Sequence, residues 1–581
     1  MLNSLRSSLL DWVREGGLKL FKPRRFWGAT LIACVLSTST ATSQLKASAD
    51  GHYLTKQDGT PVLLVGTAPW DINNITYTGA KRFADSCYTH NINCWEIRMM
   101  SQTAFCGPSN VYGVNPWTGN QTFSSSPREA FWAHLDSAID YAWTKGIYCI
   151  LYPDYLGGDG GSQGWAVQTG NSSAATMKGW GQYVGNRYAG RPNIIWAIAG
   201  DYPPISYRTK LDSMVAGIRQ YDNQSLITTR DEQATTTNTY WSERTWLTFR
   251  GTYPYWNTYE AQLIYRDGWY LYNQTPHMPA RLQEAWYENE HTPTTQLQLR
   301  QQAYYAPLSG LLGGQTFGNC PVWNFDCTDY GQPACQGRSW VNELNSAGMV
   351  IQKWFSKLFN SRYWWKLVPD SSNVVMTAGY GTNGDGTYVT TAFASDSSSI
   401  IAWMPTARSV TINATRLSGD SVHVFWFNPG NGIVTNMGML EKTTRAYSPP
   451  GPGDWVMVID SKKFEGIFDI PGGNPPSVQT TVNETPLLPS VMNLSQNYPN
   501  PFNSTTTIFY DTPVRSTLSL EVFDTAGRKI RTLVHGIHPA GRYSLQWDGK
   551  DDSGRTVGSG IYFYQLRAGE VWLTKKMVLI K

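Results

Sequence analysis

Between about Ser48 and Asp370, short apolar runs alternate with longer amphipathic stretches, eight times over. The runs are Pro61–Gly66, Ile92–Arg98, Gly146–Tyr152, Asn193–Ala199, Leu226–Arg230, Thr245–Gly251, Ala280–Trp286 and one within Gly313–Phe325. Runs this short and this apolar read as strands buried on both faces. The stretches between them carry a helical period: Arg128–Lys145 places Phe131, Leu135, Ile139 and Ala142 three or four residues apart, and Tyr207–Tyr221 behaves alike. Eight such repeats predict a (β/α)8 barrel over residues 48–370. A doubly wound sheet produces the same alternation.

Beyond Pro369 the helical period disappears. Thr387–Phe393, Ile400–Met404, Ser409–Ile412 and Ser421–Trp426 alternate like strands, and Asn383-Gly384 and Gly419-Asp420 read as turns, which predicts a β-sandwich over 371–462. Residues 463–491 are rich in Pro, Gly, Ser and Thr and read as a linker. A second β-domain of Ig-like sandwich type is expected over 492–581, with turns at Asp524–Gly527 and Asp548–Gly554. A chain of 581 residues is in any case too long for one core.

At the N-terminus, Lys22, Arg24 and Arg25 precede the apolar stretch Phe26–Leu36 and a run of small residues, Ser37–Ser43. Residues 1–43 therefore read as an export signal cleaved near Ser43 or Ala47. Leu31-Ile32-Ala33-Cys34 also fits a lipoprotein box, a second choice because apolar residues continue past Cys34. The stretch is too short to span a membrane, and no later segment is long enough, so no transmembrane segment is expected after signal removal. In an oxidising compartment the cluster Cys320, Cys327 and Cys335 suits a local disulfide. Neither Cys-x-x-Cys nor His-Glu-x-x-His occurs, and neither metal nor cofactor is expected. A formal charge of +4 gives no case for nucleic acid. Aromatics at 13%, with 25 Trp and 33 Tyr, suit a protein that stacks rings on sugar C–H faces, although rings also fill cores.

In a (β/α)8 barrel, chemistry is built where the strands end. Asn193–Asp201 is an apolar run closing in Gly200 and a carboxylate, and Arg281–Glu288 places carboxylates at the end of another. Asp201 and Glu284 are 83 residues apart (284 − 201), close to three repeats of about 30 residues. That interval puts them at the ends of strands four and seven, converging on the barrel mouth. Paired carboxylates are what a glycosidic bond requires: one donates a proton to a poor leaving group, the other stabilises or captures the oxocarbenium centre. Asp201 reads as acid/base and Glu284 as nucleophile, which predicts a retaining hydrolase. Glu288 is the rival nucleophile or a substrate-holding residue. Trp70, Asp71, Arg98, Asp154, Tyr155, Tyr253 and Trp323 also fall near strand ends and are candidate sugar-binding residues; Arg98 could orient the nucleophile.

With these residues in view, 50–370 resembles the DUF4038-type barrels, which include the apiosidases of glycoside hydrolase family 140. The resemblance rests on Gly66-Thr67-Ala68-Pro69-Trp70, Asn193–Asp201, Glu284-Ala285-Trp286-Tyr287-Glu288 and Arg300–Phe325. It implies Asp201 as acid/base and Glu284 as nucleophile. Three departures stand out: Thr67 replaces an Asp at strand one, Ala199-Gly200-Asp201 replaces Gly-Gly-Asp, and Arg230-Asp231 stands where a His is expected. They turn the expectation away from apiose towards another plant or microbial glycan. The 371–462 segment resembles the β-domain named for collagen binding in the same proteins, with packing on the barrel as its expected role. Asn497–Asn503, Asp524–Arg528, Gly560-Ile561-Tyr562 and Lys575–Val578 resemble the sorting domain of the type IX secretion system. That resemblance implies the secretion machinery as a partner and a secreted or surface-attached protein.

Two readings compete with the exo-acting glycosidase: an endo-glycanase on a polysaccharide backbone, decided by loop Gln102–Arg128, and a non-catalytic glycan-binding surface protein. Gly160–Gly164 fits Gly-x-Ser-x-Gly but lies in a loop rather than a strand-to-helix turn. Gly379–Gly384 fits Gly-x-Gly-x-x-Gly, but no helix follows it.

Overall fold

The computed structural model describes residues 44–580 except 103–106, 121, 255–259, 291–293, 327–334, 336–337, 477–491, 495, 498–499, 515, 539–540 and 570. The export signal, Cys34, Cys327, part of the linker and Tyr498-Pro499 lie outside the described residues. The chain forms two compact units, divided between Ser477 and Val478.

The first unit opens with a small antiparallel sheet of Lys46–Ala47, Leu54–Thr55 and Pro61–Val62. A nearly closed, barrel-like sheet follows. Its parallel strands are β1 (Leu64–Thr67), β2 (Cys94–Arg98), β3 (Tyr148–Tyr152), β4 (Ile194–Ala199), β5 (Ile227–Arg230), β6 (Arg250–Tyr253), β7 (Ala280–Leu282) and β8 (Gly314–Phe317). The ladder runs β5-β4-β3-β2-β1-β8-β7-β6, and the short strand Thr235–Thr236 adds to β6 antiparallel as a ninth. Between β5 and β6 there is no ladder; Thr248 and Phe249 donate backbone N–H bonds of 3.0 and 3.2 Å to Ile227 O there instead. The sheet therefore departs from a strict (β/α)8 ring.

Strand residues alternate between two cores, the two-residue period of a pleated strand. Leu64, Ile150, Ile195 and Ala197 fill the interior. Val65, Trp95, Leu151, Trp196 and Ile198 face the surrounding helices. Those helices begin where side chains satisfy the free N–H groups: Thr76 accepts from Gly79 N, Ser173 from Thr176 N, and Thr295 with Gln298 forms a capping box. After β5 the helix shrinks to Asn238–Trp241.

Two predicted strands move. Thr245–Phe249 lies before β6, because its apolar side chains are buried in turns rather than paired in a ladder. Strand β7 ends at Leu282, so Glu284 stands two residues beyond it instead of within the run to Trp286. The chain leaves the sheet at Gln283, whose amide donates to Thr229 O and, at 3.2 Å, to Thr228 Oγ1.

A β-sandwich follows within the same unit. Six strands (Leu367–Pro369, Thr390–Ala394, Ser399–Met404, Trp455–Ser461, Ser421–Phe427, Val434–Glu441) face a three-stranded sheet of Met376–Ala378, Val410–Asn413 and Thr444–Tyr447. Its core shares residues with the barrel's: Trp403, Phe425, Phe427 and Val458 pack in one cluster with helix residues such as Tyr304 and Phe355. Trp403 meets Tyr305 edge-on at 5.0 Å. Arg300 bonds Asp454 at 2.7 and 2.8 Å, and the fully buried Arg362 bonds Asp460 at 3.1 and 2.8 Å.

The second unit is a β-sandwich of its own. A three-stranded sheet (Asn493–Leu494, Thr506–Thr512, Gly541–Trp547) and a four-stranded one (Lys529–His538, Ser516–Asp524, Gly560–Ala568, Val571–Leu579) enclose Ile508, Leu520, Trp547 and Tyr564. Among the described residues no helix is long and apolar enough to cross a membrane.

Candidate active site

A cavity of about 380 Å³ opens where the parallel strands end, and Asp201 and Glu284 both line it. Asp201 sits on an unusual piece of backbone. Ala199, which ends β4, and Gly200 and Asp201 after it have φ of 69°, 137° and 54°, so the two non-glycine residues flanking the glycine both take left-handed conformations. Such backbone costs about 1–3 kcal/mol per residue and persists where the surroundings dictate it. The surroundings here are Tyr155: a Cβ on Gly200 would meet its Cδ2 at 2.4 Å. The ring packs against the glycine, and its hydroxyl donates to Asp201 Oδ2 at 2.5 Å.

Arg230, closing β5, joins the carboxylates. Its Nε lies 2.8 Å from Asp201 Oδ1, its Nη2 pairs with Glu284 Oε2, and its Nη1 is 3.6 Å from Glu96 Oε2. The side chain is 1% exposed. Burial alone would push its pKa down, but Asp201, Tyr253, Tyr152 and Glu96 outweigh that and hold it well above its ordinary value; the guanidinium stays charged. The Trp70 and Tyr253 rings lie 4.6 and 4.3 Å from its Cζ.

Beneath the cavity lies a second ionic layer inside the barrel. Glu96, on β2, is completely buried and accepts from Tyr152 Oη (2.8 Å), Arg281 Nη2 (2.8 Å) and Thr316 Oγ1 (2.6 Å). Strands β2, β3, β7 and β8 each contribute one member. A buried charge is tolerable only when its lone pairs are met in this way.

Of the other residues singled out in the sequence, Trp70, Arg98, Tyr155, Tyr253 and Trp323 line the cavity. Trp70 Nε1 donates to Tyr287 Oη at 2.7 Å. The Arg98 guanidinium lies 5.4 and 5.6 Å from the rings of Tyr155 and Trp323. Trp323 rides on the short helix Cys320–Asn324, which the Cys320–Cys335 disulfide ties down.

Three expected sugar contacts are placed elsewhere. Asp71 is buried behind Arg98, which donates to it at 2.6 and 2.5 Å; it anchors Arg98 rather than facing the cavity. Asp154 is fully buried and accepts from Thr169 Oγ1 at 2.9 and 3.0 Å, and burial, against those bonds, pushes its carboxyl up to about 7. Glu288 accepts from Asn319 Nδ2 (2.9 Å), Ser346 Oγ (2.6 Å) and Gly348 N (3.0 Å), clasping the start of helix Ala347–Asn360. Each finds protein partners because it lies outside the ring of side chains that converge on the centre. Expected Arg98–nucleophile contact is likewise replaced: Asp71 takes Arg98, and Arg230 takes Glu284.

Sequence reasoning missed Tyr202, Glu232, Gln233 and Glu290 of the cavity and Glu96 beneath it, and met Tyr287 only within a motif and Arg230 only as a departure. An Arg closing a strand was the available signal for Arg230. Among the described residues no group of His, Cys, Asp and Glu is arranged to hold a metal ion.

Residues 48–366 match the family model described as "Apiosidase-like, catalytic domain". Residues 368–460 match "Putative collagen-binding domain of a collagenase", and 503–570 match the FlgD Ig-like domain. Among solved structures, the chain is similar to a glycoside hydrolase at 20% identity and a TM-score of 0.63, over 73% of this chain and 98% of that one. It is also similar to a glycoside hydrolase family 5 protein from Bacteroides vulgatus, at 21% identity and a TM-score of 0.64, over 73% and 94% of the two chains. Likeness at this identity concerns the fold. No curated protein matches the chain.

Proposed function

Since the chain belongs to the apiosidase-like family of catalytic domains, we propose that it is a secreted, retaining, exo-acting glycoside hydrolase using Asp201 and Glu284. The observation that carries this reading is the shared guanidinium: Asp201 and Glu284 grip neighbouring nitrogens of Arg230 at the wall of one cavity. Carboxylates so joined stand close together, and about 5–5.5 Å between carboxyl groups goes with retention, against about 6.5–9.5 Å for inversion.

In the first step, Glu284 attacks the anomeric carbon while Asp201, once it has taken a proton from solvent and so given up its pairing with Arg230 Nε, passes that proton to the glycosidic oxygen. The C–O bond to the leaving alcohol breaks and an acyl-linked glycosyl-enzyme forms. In the second, Asp201 takes a proton from water, whose oxygen attacks the anomeric carbon and releases Glu284. Trp70 and Trp323 supply faces for a sugar ring in the cavity.

The test is product analysis on a panel of plant and microbial polysaccharides, with the anomer of the first product read by NMR. Asp201→Asn and Glu284→Gln should each cut turnover by orders of magnitude with the fold intact. Near-full hydrolysis by either variant overturns the assignment, internal cleavage would move the reading to an endo-glycanase, and glycan binding without turnover to a binding protein.

Export completes the proposal. Residues 1–43 would direct the chain out of the cytoplasm and 492–581 would engage a type IX secretion machinery; the FlgD Ig-like match over 503–570 is compatible with an Ig-like sorting module. Deleting 492–581 should abolish extracellular yield and spare activity. Undiminished yield refutes the sorting role.

A further inference from the structure

We infer that a second cavity, at the opposite end of the barrel from Asp201 and Glu284, binds a neutral polysaccharide chain; this rests on the reading of the protein as one that acts on glycans. The cavity measures about 550 Å³, within the range of ligand pockets. Asn93 and Lys145, on its wall, stand just before β2 and β3, so it opens where the strands begin. Asn93 is fixed there: its amide accepts from Val65 N at 2.8 Å and donates to Leu63 O at 3.0 Å. Residues 472–475 form another wall. Ser361 Oγ accepts from Gly472 N at 3.1 Å, and Asp469 accepts from the backbone and side-chain nitrogens of Asn474, both at 3.0 Å. These bonds shape the cavity before any ligand arrives.

Among the described residues no carboxylate lines this cavity. Its polar groups are the amides of Asn91, Asn360 and Asn474, the Ser356 hydroxyl and the ammoniums of Lys145 and Lys357. Asp85 meets the charge of Lys145 at 2.6 Å. Helices Tyr77–Thr89 and Ala347–Asn360 both end at the cavity, and the partial negative charges of two such ends together offset about one positive charge, that of Lys357. A lining that is close to neutral and rich in amides gives and takes hydrogen bonds as sugar hydroxyls do. Tyr88 lines the cavity while 63% exposed, so its ring stands at the mouth and offers a sugar face. Rings continue from there over the outer surface. Lys145 Nζ lies 5.8 Å from the Tyr88 ring and 5.3 Å from that of Tyr141. Tyr141 meets Tyr77 edge-on at 6.3 Å, and the Tyr112 hydroxyl accepts from Tyr77 N at 3.4 Å. Tyr77 and Tyr112 are 40% and 57% exposed. A cavity alone would suit any small polyol; the row of tyrosines leading out of it calls for a chain of sugars.

The experiment titrates full-length Glu284→Gln protein, which should hold glycan without cutting it, with galactan, arabinoxylan, glucomannan and xyloglucan, and reads binding by calorimetry. Adding Tyr88→Ala should weaken binding of at least one polymer about tenfold. Tyr88→Trp, which keeps an aromatic face, should not. Binding should persist as salt rises from about 0.02 to about 0.5 M, because no ion pair carries it. With Glu284 intact, Tyr88→Ala should lower kcat/KM on that polymer by a similar factor and leave short oligosaccharides within about twofold. Polymer binding indifferent to Tyr88→Ala, binding lost at high salt, or no binding of any of the four overturns the inference. Tyr88-dependent binding by a parent protein that cuts nothing leaves the second site standing and refutes the hydrolase reading instead.

Discussion

Replacing Arg230 by glutamine is the perturbation that reaches deepest into this site. The side chain is 1% exposed and pairs with Asp201, Glu284 and Glu96. Glutamine keeps a donor but loses the positive charge, so two acids at the cavity wall would face each other with no cation between them. Removing one partner of a buried pair costs about 3–5 kcal/mol. Part of that is stability and part is the position of the reacting carboxylates. If about 3–4 kcal/mol appears in the transition state, turnover falls roughly 10²- to 10³-fold, at 1.36 kcal/mol per decade. KM should change much less, because Trp323, which lies against Arg98 rather than Arg230, is untouched. The assay is steady-state hydrolysis of the substrate found by product analysis, paired with urea unfolding. Arg230→Lys should recover only part of the loss, since one ammonium cannot address two acids through a planar fork. Arg230→Ala should be rescued several-fold by millimolar guanidinium ion. Turnover within threefold of the parent, or lost activity that guanidinium cannot restore in a folded Arg230→Ala protein, would refute the role given to this residue.

Burial holds Asp154 at about 7 and Asp231 at about 8, against an ordinary 3.8. The folded chain keeps protons that the unfolded chain has released, so these groups make stability fall as pH rises from about 4 to about 7 or 8, and stay flat beyond. Asp154→Asn and Asp231→Asn should flatten that slope in urea unfolding at about pH 5 and about pH 8.5; an unchanged slope refutes it. The Cys320–Cys335 bridge spans 15 residues, so Cys335→Ser should lower unfolding free energy by about 3 kcal/mol. It should also raise KM through Trp323, and an unchanged KM would separate the bridge from the site. A chain ended near residue 370 should be insoluble or molten by circular dichroism, because it bares the faces that Trp403, Phe427 and Val458 cover; a folded, active truncation would show the sandwich to be dispensable.

Much of the barrel could be read from apolar runs, because strands buried on both faces leave a continuous signature. The reading slipped where burial and ladder pairing part company. Trp246, Leu247 and Phe249 are apolar yet lie outside the ladder, and β7 stops at Leu282, before Gln283 and Glu284, although Ala285 and Trp286 resume the apolar pattern. At the site, Asp201 and Glu284 were legible because each closes an apolar run. Asp71, Asp154 and Glu288 carry the same local signal, but their partners, Arg98, Thr169 and Ser346, come from distant stretches that no spacing rule connects. Glu96 was invisible for a related reason: it lies inside an apolar run, between Trp95 and Ile97, and its partners Tyr152, Arg281 and Thr316 come from three other strands. Left-handed backbone at Ala199 and Asp201 has no side-chain signature; the ring of Tyr155 accounts for the glycine between them.

The layer of Glu96, Arg281, Thr316 and Tyr152 fastens four strands at one depth, and neither Glu96 nor Arg281 can be exchanged alone. A floor built this way resists drift, since losing either of those two takes the main ionic partner from the other. Diversification of the sugar recognised is then confined to the rim, where Glu232, Gln233 and Glu290 hang from loops and can be replaced one at a time. Descendants of this scaffold should differ in what they accept long before they differ in how they cut.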